Sequence, residues 1–133
     1  HKDTPDTCCH LRKTSVLKNA LVPYDGWITG RKRYQGNQRV KLEFFEYDAP
    51  NDKFKINPLA HWRAEDVADY VAANNLPPHP LVAKGYSFIG CKLCTVPVGI
   101  NDDVRSGRWQ GRAKTECGIH FETKSLTPAE DMT

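Results

Sequence analysis

Five cysteines are the side chains of this 133-residue chain whose types and spacing point most directly to chemistry. They form an adjacent pair, Cys8 and Cys9, a C-x-x-C pair, Cys91 and Cys94, and a single residue, Cys117. Four thiolates complete a closed site for zinc or for an iron–sulfur cluster, because soft sulfur suits both and four is the number that each requires. The fifth thiol lies near a lysine and a histidine, so Cys117 is a candidate nucleophile.

The cysteines also allow other interpretations. Two disulfides and a spare thiol are typical of a secreted protein, but the chain shows no signal peptide and has enough apolar residues to build a core without them. A structural zinc ion is a stronger alternative, since C-x-x-C is a common half of a four-cysteine zinc site. Directly adjacent cysteines on one helical turn instead favour the larger face of a cubane. Spacing alone therefore leaves zinc and iron–sulfur both open.

Composition and charge favour a soluble domain that binds a small anion. The chain is 39% apolar and contains no stretch long enough to cross a bilayer, so we expect one cytoplasmic domain that binds no membrane. The net charge is +3, and the basic residues group around Arg12 and Lys13, over residues 31–41 and over residues 105–114. Separate groups favour a small anionic ligand over nucleic acid, because a duplex favours one long positive face.

Hydrophobic periodicity predicts a mixed α/β chain. A helix is predicted over residues 6–21, with Asp6 or Thr7 as N-cap, and Cys8 and Cys9 would then lie in its first turn, where the helix dipole favours thiolates. The other predicted elements are strands over 26–30 and 40–47, a hairpin partner at 54–56 across 49–52, and a helix over 64–74. Beyond residue 85 the chain is rich in glycine, proline and charge, so we expect it to be held mainly by what it binds. Residues 121–133 are predicted to form a flexible tail.

Seven short motifs follow one another along almost the whole chain. They are Cys8-Cys9-x-x-Arg12-Lys13, Trp27-Ile28-Thr29-Gly30, Asn57-Pro58-Leu59-x-x-Trp62, His79-Pro80-Leu81, Gly85-Tyr86-x-x-Ile89-Gly90-Cys91-x-x-Cys94-Thr95, Arg105-x-Gly107-Arg108-Trp109 and Lys114-Thr115-Glu116-Cys117-Gly118-Ile119-His120. In these motifs and their order, the chain resembles the assimilatory sulfonucleotide reductases, and in particular the cluster-containing branch of bacterial-type adenylyl-sulfate (APS) reductases.

The resemblance implies a fold, a reaction and a cofactor. The family fold is a doubly wound α/β sheet of the PP-loop (adenine nucleotide alpha hydrolase-like) type. The implied reaction is thioredoxin-dependent reduction of adenosine 5′-phosphosulfate to sulfite and AMP through an S-sulfocysteine on Cys117, in sulfate assimilation and cysteine biosynthesis. A [4Fe–4S] cluster would be held by Cys8, Cys9, Cys91 and Cys94. Implied substrate contacts come from Lys13, Lys32 or Arg33, Arg105 and Arg108, with His120 binding substrate or tuning Cys117.

The same comparison predicts how the chain is organised. Family members begin with a strand and a phosphate-binding turn that are not found here, so we expect residues 1–120 to be the C-terminal portion of one reductase domain whose N-terminal half is missing. Thioredoxin, or a similar dithiol protein, would be a separate partner.

The chain departs from the family pattern at Tyr34, at Gly36 and at Ser87-Phe88. These differences put the shape of the anion-binding loop in question. Two alternatives remain, a 3′-phosphoadenylyl-sulfate reductase and a non-catalytic metal-binding module. The oligomeric state is left open, a homo-oligomer included.

Overall fold

Two compact units make up the chain. The computed structural model describes residues 4–36, 39–99, 102–103, 105–111, 114 and 116–120, and the backbone of 123–125. The first unit contains His1–Arg63 and Glu116–Thr133, and the second contains Ala64–Thr115. Each unit is described by itself below.

The first unit begins with one continuous helical segment, which confirms the helix predicted over residues 6–21. It consists of α1 (Pro5–Cys9), a π-helical stretch (His10–Thr14) and α2 (Ser15–Leu21). The predicted N-cap was wrong, because the N-cap is Thr4 and Pro5 occupies the first helical position, where its missing N–H is not needed. The Cys8 amide donates to the Thr4 carbonyl at 3.1 Å, so Cys8 closes the first turn and Cys9 begins the second.

The π-helical stretch between the two α-helical parts has a local cause. The Ser15 hydroxyl donates to the His10 carbonyl at 2.9 Å and to the Leu11 carbonyl at 3.3 Å. The Thr14 hydroxyl also donates to the His10 carbonyl, at 3.3 Å. Hydroxyl groups that bond to carbonyls of the preceding turn compete with the regular backbone ladder, and single π-helical turns are frequent at functional sites. Lys13 lies in this stretch.

This unit also contains a short 3₁₀ turn (Arg33–Gln35) and a four-stranded mixed sheet, in the order β1-β3-β2-β4. The strands are β1 (Gly26–Ile28), β2 (Phe45–Asp48), β3 (Lys53–Ile56) and β4 (Thr123–Ser125). β1 pairs with β3 in parallel, whereas β2 is antiparallel to both β3 and β4. The hairpin across residues 49–52 is confirmed, and the strands predicted over 26–30 and 40–47 are shorter than expected. β4 lies inside the predicted tail segment, whose residues 121–122 and 126–133 lie outside the described part.

The two faces of this sheet are inverted relative to an ordinary half-buried sheet. One face carries Trp27, Glu46, Asp48 and Lys55, and the last three are each at most 6% exposed. The opposite face carries apolar side chains that are exposed by 56–70%, namely Ile28, Phe45 and Phe54. Polar groups can be buried at tolerable cost only when they are paired, so the polar face requires a network of contacts.

Within its described residues, the second unit contains one regular helix, α3 (Ala64–Ala73), which confirms the helix predicted over 64–74. The chain then continues through two 3₁₀ turns, Val82–Lys84 and Lys92–Cys94, and an isolated bridge between Thr95 and Arg108. This agrees with the irregular segment expected beyond residue 85. Within the described residues, no helix is both long and apolar enough to cross a lipid bilayer. The coarse α/β class is confirmed, and the doubly wound PP-loop topology stays a prediction.

Candidate functional site

Cys117 lies in the first unit between a buried carboxylate and a glycine turn. The preceding Glu116 is 7% exposed, and its Oε1 accepts from Arg39 Nε at 3.1 Å and from Arg39 Nη2 at 2.9 Å. The following Gly118 has a φ of 93°, a left-handed conformation that other residues rarely adopt. Cys117 itself is half-buried. The thiol is therefore held on a backbone that is fixed on both sides while its side chain keeps partial access to solvent.

His120 completes the same motif and packs on β1. Its imidazole stacks on the Trp27 indole with ring centroids 5.6 Å apart and an interplanar angle of 6°. The Trp27 Nε1 donates to Asp48 Oδ2 at 2.9 Å, which fixes the plane of the indole. The motif is thus held at two places, through Glu116 to Arg39 in the segment between β1 and β2, and through His120 to Trp27 on β1.

The basic segment after β1 supplies the two cations that were predicted as alternatives. The Lys32 ammonium donates to the Gly30 carbonyl at 2.8 Å, and burial, with a smaller contribution from Arg39, lowers the pKa of Lys32. Arg33 instead donates to the Leu42 carbonyl and to Glu43, both at 2.7 Å. Lys32 keeps donors for a ligand, whereas the Arg33 guanidinium already binds a carbonyl and a carboxylate.

The helical segment and the Cys117 motif line one cavity. This cavity has a volume of about 420 Å³, and its walls include His10 and Lys18 from the helical segment and Gly118 and Ile119 from the motif. Cys8 is half-buried and Cys9 is buried, and Lys13 is half-buried one turn further on. The structure therefore brings the cysteine helix next to the motif that carries Cys117.

In the second unit the C-x-x-C pair forms a single tight turn. The Cys94 amide donates to the Cys91 carbonyl at 2.9 Å, and the Thr95 hydroxyl donates to the same carbonyl at 2.8 Å. The Trp109 amide reaches the Cys94 carbonyl at 3.2 Å. The two cysteines are thus bonded through the backbone to the segment that carries the predicted substrate-binding arginines.

Arg105 and Arg108 of that segment pack on aromatic rings. The Arg105 guanidinium lies 4.6 Å from the centroid of the Phe88 ring, and the Arg108 guanidinium lies 5.4 Å from it. Arg108 also lies 4.2 Å from the Trp109 ring. Cation–π contacts of this kind orient a guanidinium in a fixed plane. In the sequence, Phe88 stands out only as part of Ser87-Phe88, a departure from the family pattern that does not indicate this packing.

Glycines and one strained residue make room for these arginines. A Cβ added at Gly90 would collide with the Arg108 guanidinium, and one added at Gly107 would collide with the Val96 carbonyl. Trp109 is buried and has a φ of 48°, which is unusual for an aromatic residue and stores backbone strain. The glycine before the C-x-x-C turn therefore lets Arg108 lie directly against the backbone next to Cys91.

The four predicted cluster ligands all carry soft sulfur donors, the type that a metal cluster requires. All five cysteines lie in the described part of the chain, and none of them forms a disulfide. Cys8 and Cys9 belong to the first unit, and Cys91 and Cys94 belong to the second. Among the described residues, no group of three or more histidine, cysteine, aspartate or glutamate side chains is arranged to hold a metal ion. Each unit therefore supplies one pair of soft sulfur donors.

Comparisons with known proteins agree on one family. The family model for the phosphoadenosine phosphosulfate reductase domain matches residues 1–97. The adenosine 5′-phosphosulfate reductase of Mesorhizobium japonicum is 51% identical over 131 residues, which cover 97% of this chain and 51% of that protein. The enzyme of the same name from Chelativorans sp. is 51% identical over 121 residues, covering 91% of this chain and 49% of its own length.

A relative that is named for phosphoadenosine 5′-phosphosulfate has a lower sequence identity than these two. The phosphoadenosine 5′-phosphosulfate reductase of Gloeobacter violaceus is 43% identical over 122 residues, covering 90% of this chain and 51% of that protein. The chain thus spans about half of the length of the curated relatives that it matches.

Proposed function

The chain belongs to the phosphoadenosine phosphosulfate reductase domain family, and from that premise we propose that it carries the thiol chemistry of an adenylyl-sulfate reductase. The reaction is the reduction of adenosine 5′-phosphosulfate to sulfite and AMP, with electrons from thioredoxin or a similar dithiol protein. The observation that carries the proposal is the placement of Cys117, a half-buried thiol on a backbone fixed by the Glu116–Arg39 ion pair and by Gly118.

Cys117 acts as the nucleophile in this reaction. Its thiolate attacks the sulfuryl sulfur, an S–S bond forms, and the bond from that sulfur to the bridging oxygen breaks, so that AMP leaves with the electron pair. The product is an S-sulfocysteine. A thiolate of thioredoxin then attacks the Cys117 sulfur and expels sulfite, and the second thioredoxin thiol resolves the mixed disulfide. The dithiol supplies the two electrons that reduce sulfate sulfur to sulfite, and Cys117 returns as a thiol.

Basic side chains of the sequence motifs would bind the phosphosulfate. Lys13, Arg105 and Arg108 match family positions for substrate contact, and His120 would bind substrate or tune Cys117. Of Lys32 and Arg33 we assign substrate contact to Lys32, because the Arg33 guanidinium already binds Leu42 and Glu43. Positive charge aimed at the anhydride stabilises the negative charge that develops on the leaving phosphate. Arg105 and Arg108 suit this task because their contacts with the Phe88 ring orient both guanidinium groups.

The four paired cysteines, Cys8, Cys9, Cys91 and Cys94, would hold a [4Fe–4S] cluster. When bound, such a cluster supplies a fixed electrostatic environment and a structural link between its ligands. Cys117 is left outside this ligand set and remains available for the exchange chemistry.

The exposed apolar face of the sheet is where we place the other half of the family domain. Ile28, Phe45 and Phe54 are each more than half exposed on that face. A contiguous apolar face of this kind marks an interaction surface. Since the chain spans about half of its relatives' length, the remaining part of the domain is the occupant that fits, and together the two halves would complete the PP-loop sheet.

Two further assignments follow from the same comparison. The two relatives that are 51% identical are both named for adenosine 5′-phosphosulfate, which supports the unphosphorylated substrate. Five cysteines without a disulfide suit the reducing cytoplasm, where sulfate assimilation leads to cysteine.

Trapping the covalent intermediate tests the proposal. Full-length native protein is incubated with adenosine 5′-phosphosulfate in the absence of any dithiol, and we expect one AMP per active site and a mass increase of about 80 Da on the peptide that contains Cys117. Reduced thioredoxin should then discharge the adduct as sulfite. Cys117→Ser should form no adduct, and Arg108→Ala should slow its formation by roughly 10²-fold.

An adduct on a different residue, or sulfite release without a dithiol, would contradict this mechanism. The matched control is Arg63→Ala, an exposed arginine outside the proposed site, which should form the adduct at the unaltered rate. A full-length protein that binds the nucleotide and forms no adduct would favour the non-catalytic module instead.

A further inference from the structure

Lys55 is a buried cation that the proposed reaction does not use. It lies on β3, it is 0% exposed, and its Nζ is 3.6 Å from Asp48 Oδ2. In the part of the chain that the structure describes, no acceptor lies within hydrogen-bonding distance of this Nζ. Lysine is almost never fully buried unless it is paired, because desolvation of the ammonium is costly. Because burial of this charge is costly, a function of Lys55 is expected in the contacts that it makes.

The contacts of Lys55 lead to the Trp27 ring. The ammonium lies 4.9 Å from the indole centroid, which is within the range of a cation–π contact. The carboxylate that pairs with Lys55 also accepts from Trp27 Nε1 at 2.9 Å and from Asn51 Nδ2 at 2.9 Å. Lys55 and Asp48 therefore hold the same indole, one through the ring and the other through its N–H group.

Trp27 in turn connects this pair with the Cys117 motif. The His120 imidazole lies parallel to the indole at 5.6 Å between centroids, and the tilt between the planes is 6°. A change in the orientation or the electron density of the indole therefore acts directly on His120. The contacts from Lys55 and from Asp48 to the Trp27 indole, and from the indole to His120, form one continuous chain.

The charged groups around Lys55 are few and can be named. β2 contributes Asp48 and Glu46, and the segment after β1 contributes Arg31, which forms an ion pair with Glu46. Burial lowers the pKa of Lys55 to about 8, the two carboxylates oppose this shift, and Arg31 adds to it.

We propose that Lys55 and Asp48 are positioning residues that fix the Trp27 indole and, through it, set the orientation and charge state of His120. This inference rests on the proposed function, in which His120 serves the chemistry of Cys117. A cation on the indole withdraws electron density from the ring, and a protonated imidazole stacked on the same ring is then less stable. The Asp48 carboxylate acts in the opposite sense.

Opposite charge effects distinguish this role from simple packing. The measurement is the NMR titration of His120 in the full-length native protein and in the variants Lys55→Met and Asp48→Asn. Lys55→Met removes the cation and should raise the pKa of His120 by about half a unit or more, whereas Asp48→Asn removes the anion and should lower it by a similar amount. Lys53→Met, which removes a half-buried lysine from the same strand, is the control and should shift it less. Shifts of the same sign in both variants, or no shift, would overturn the inference.

A second arm keeps the test decisive if a variant folds poorly. In Trp27→Phe an aromatic ring is kept and the N–H group is lost. The effect of Asp48→Asn on the pKa of His120 should then disappear, and an unchanged effect would contradict the inference.

Kinetics provide a separate measurement. Lys55→Met should slow adduct formation on Cys117 about tenfold at unchanged KM, and Lys55→Arg should restore part of the rate. The titration does not depend on activity, so it would stand even if no adduct formed and the proposed reaction failed.

Discussion

The two units hold their chemical groups in different ways. In the first unit the Cys117 motif is held by the polar face of a sheet and by buried ion pairs such as Arg39–Glu116. In the second unit the C-x-x-C turn is held by backbone hydrogen bonds, by glycines without room for a side chain, and by arginines stacked on Phe88 and Trp109.

This difference has an energetic meaning. A buried ion pair is costly to break, because the remaining charge is left without compensation in a low-dielectric interior. A stacked guanidinium contributes less to stability and is lost at lower cost. The first unit therefore holds the proposed nucleophile with strong buried contacts, whereas the arginines of the second unit are held by contacts that contribute less to stability.

The largest effect is expected from breaking the Arg39–Glu116 ion pair next to Cys117. Glu116→Gln removes the carboxylate that forms an ion pair with the buried Arg39, so we expect the free energy of unfolding to fall by about 3–5 kcal/mol. The measurement is urea denaturation of the full-length protein. Arg108→Met in the second unit is the matched comparison and should cost about 1–2 kcal/mol, because it removes stacking contacts only.

A double variant controls for loss of packing. Arg39→Met combined with Glu116→Gln removes both charges and should recover most of the lost stability. If the single and double variants lose equal stability, the contrast between the two units has a cause other than buried charge.

The sequence predicted the elements that depend on local signals. The first helix, the hairpin of β2 and β3, and α3 follow from helical spacing and from turn residues at 49–52, which act over a few positions. The parallel pairing of β1 with β3 and the pairing of β4 with β2 join distant segments, and no local pattern encodes them. The N-cap was assigned wrongly because the signal of Pro5 at the first helical position was not used.

The candidate site was predicted as residue types and only in part as contacts. The motifs named Cys117, Arg105 and Arg108, since these stand at family positions. They gave no sign that Phe88 supports both arginines, because an aromatic residue in an irregular segment has no period. Nor did they indicate that Lys55 is buried, because a lysine within a strand is normally read as solvent-facing.

A smaller expected effect, the pH dependence of stability due to Lys55, tests the role of buried charge in the first unit. The pKa of Lys55 is about 8 in the folded protein against 10.5 for an ordinary lysine. Between these values the unfolded chain binds more protons than the folded one, so stability rises with pH in this window. Relative to Lys55→Met, the free energy of unfolding should therefore increase by about 2–3 kcal/mol from pH 8 to pH 10.5. Urea denaturation at several pH values measures it, and a difference that stays constant or falls would contradict a buried charged lysine.

The smallest expected effect tests how the second unit works. A methyl group at Gly90 would meet the end of the flexible Arg108 side chain, which can swing away, so Gly90→Ala should cost little stability. Moving the guanidinium from its place beside Cys91 should nevertheless slow adduct formation on Cys117 about tenfold, equivalent to about 1.4 kcal/mol. Because Gly90→Ala acts by displacing Arg108, it should cause no further loss in the rate of adduct formation when it is combined with Arg108→Ala. Rates of adduct formation in the two single variants and the double variant decide the question. Additive losses would mean that Gly90 acts through the C-x-x-C turn itself, and the second unit would then resemble the first in depending on a rigid backbone.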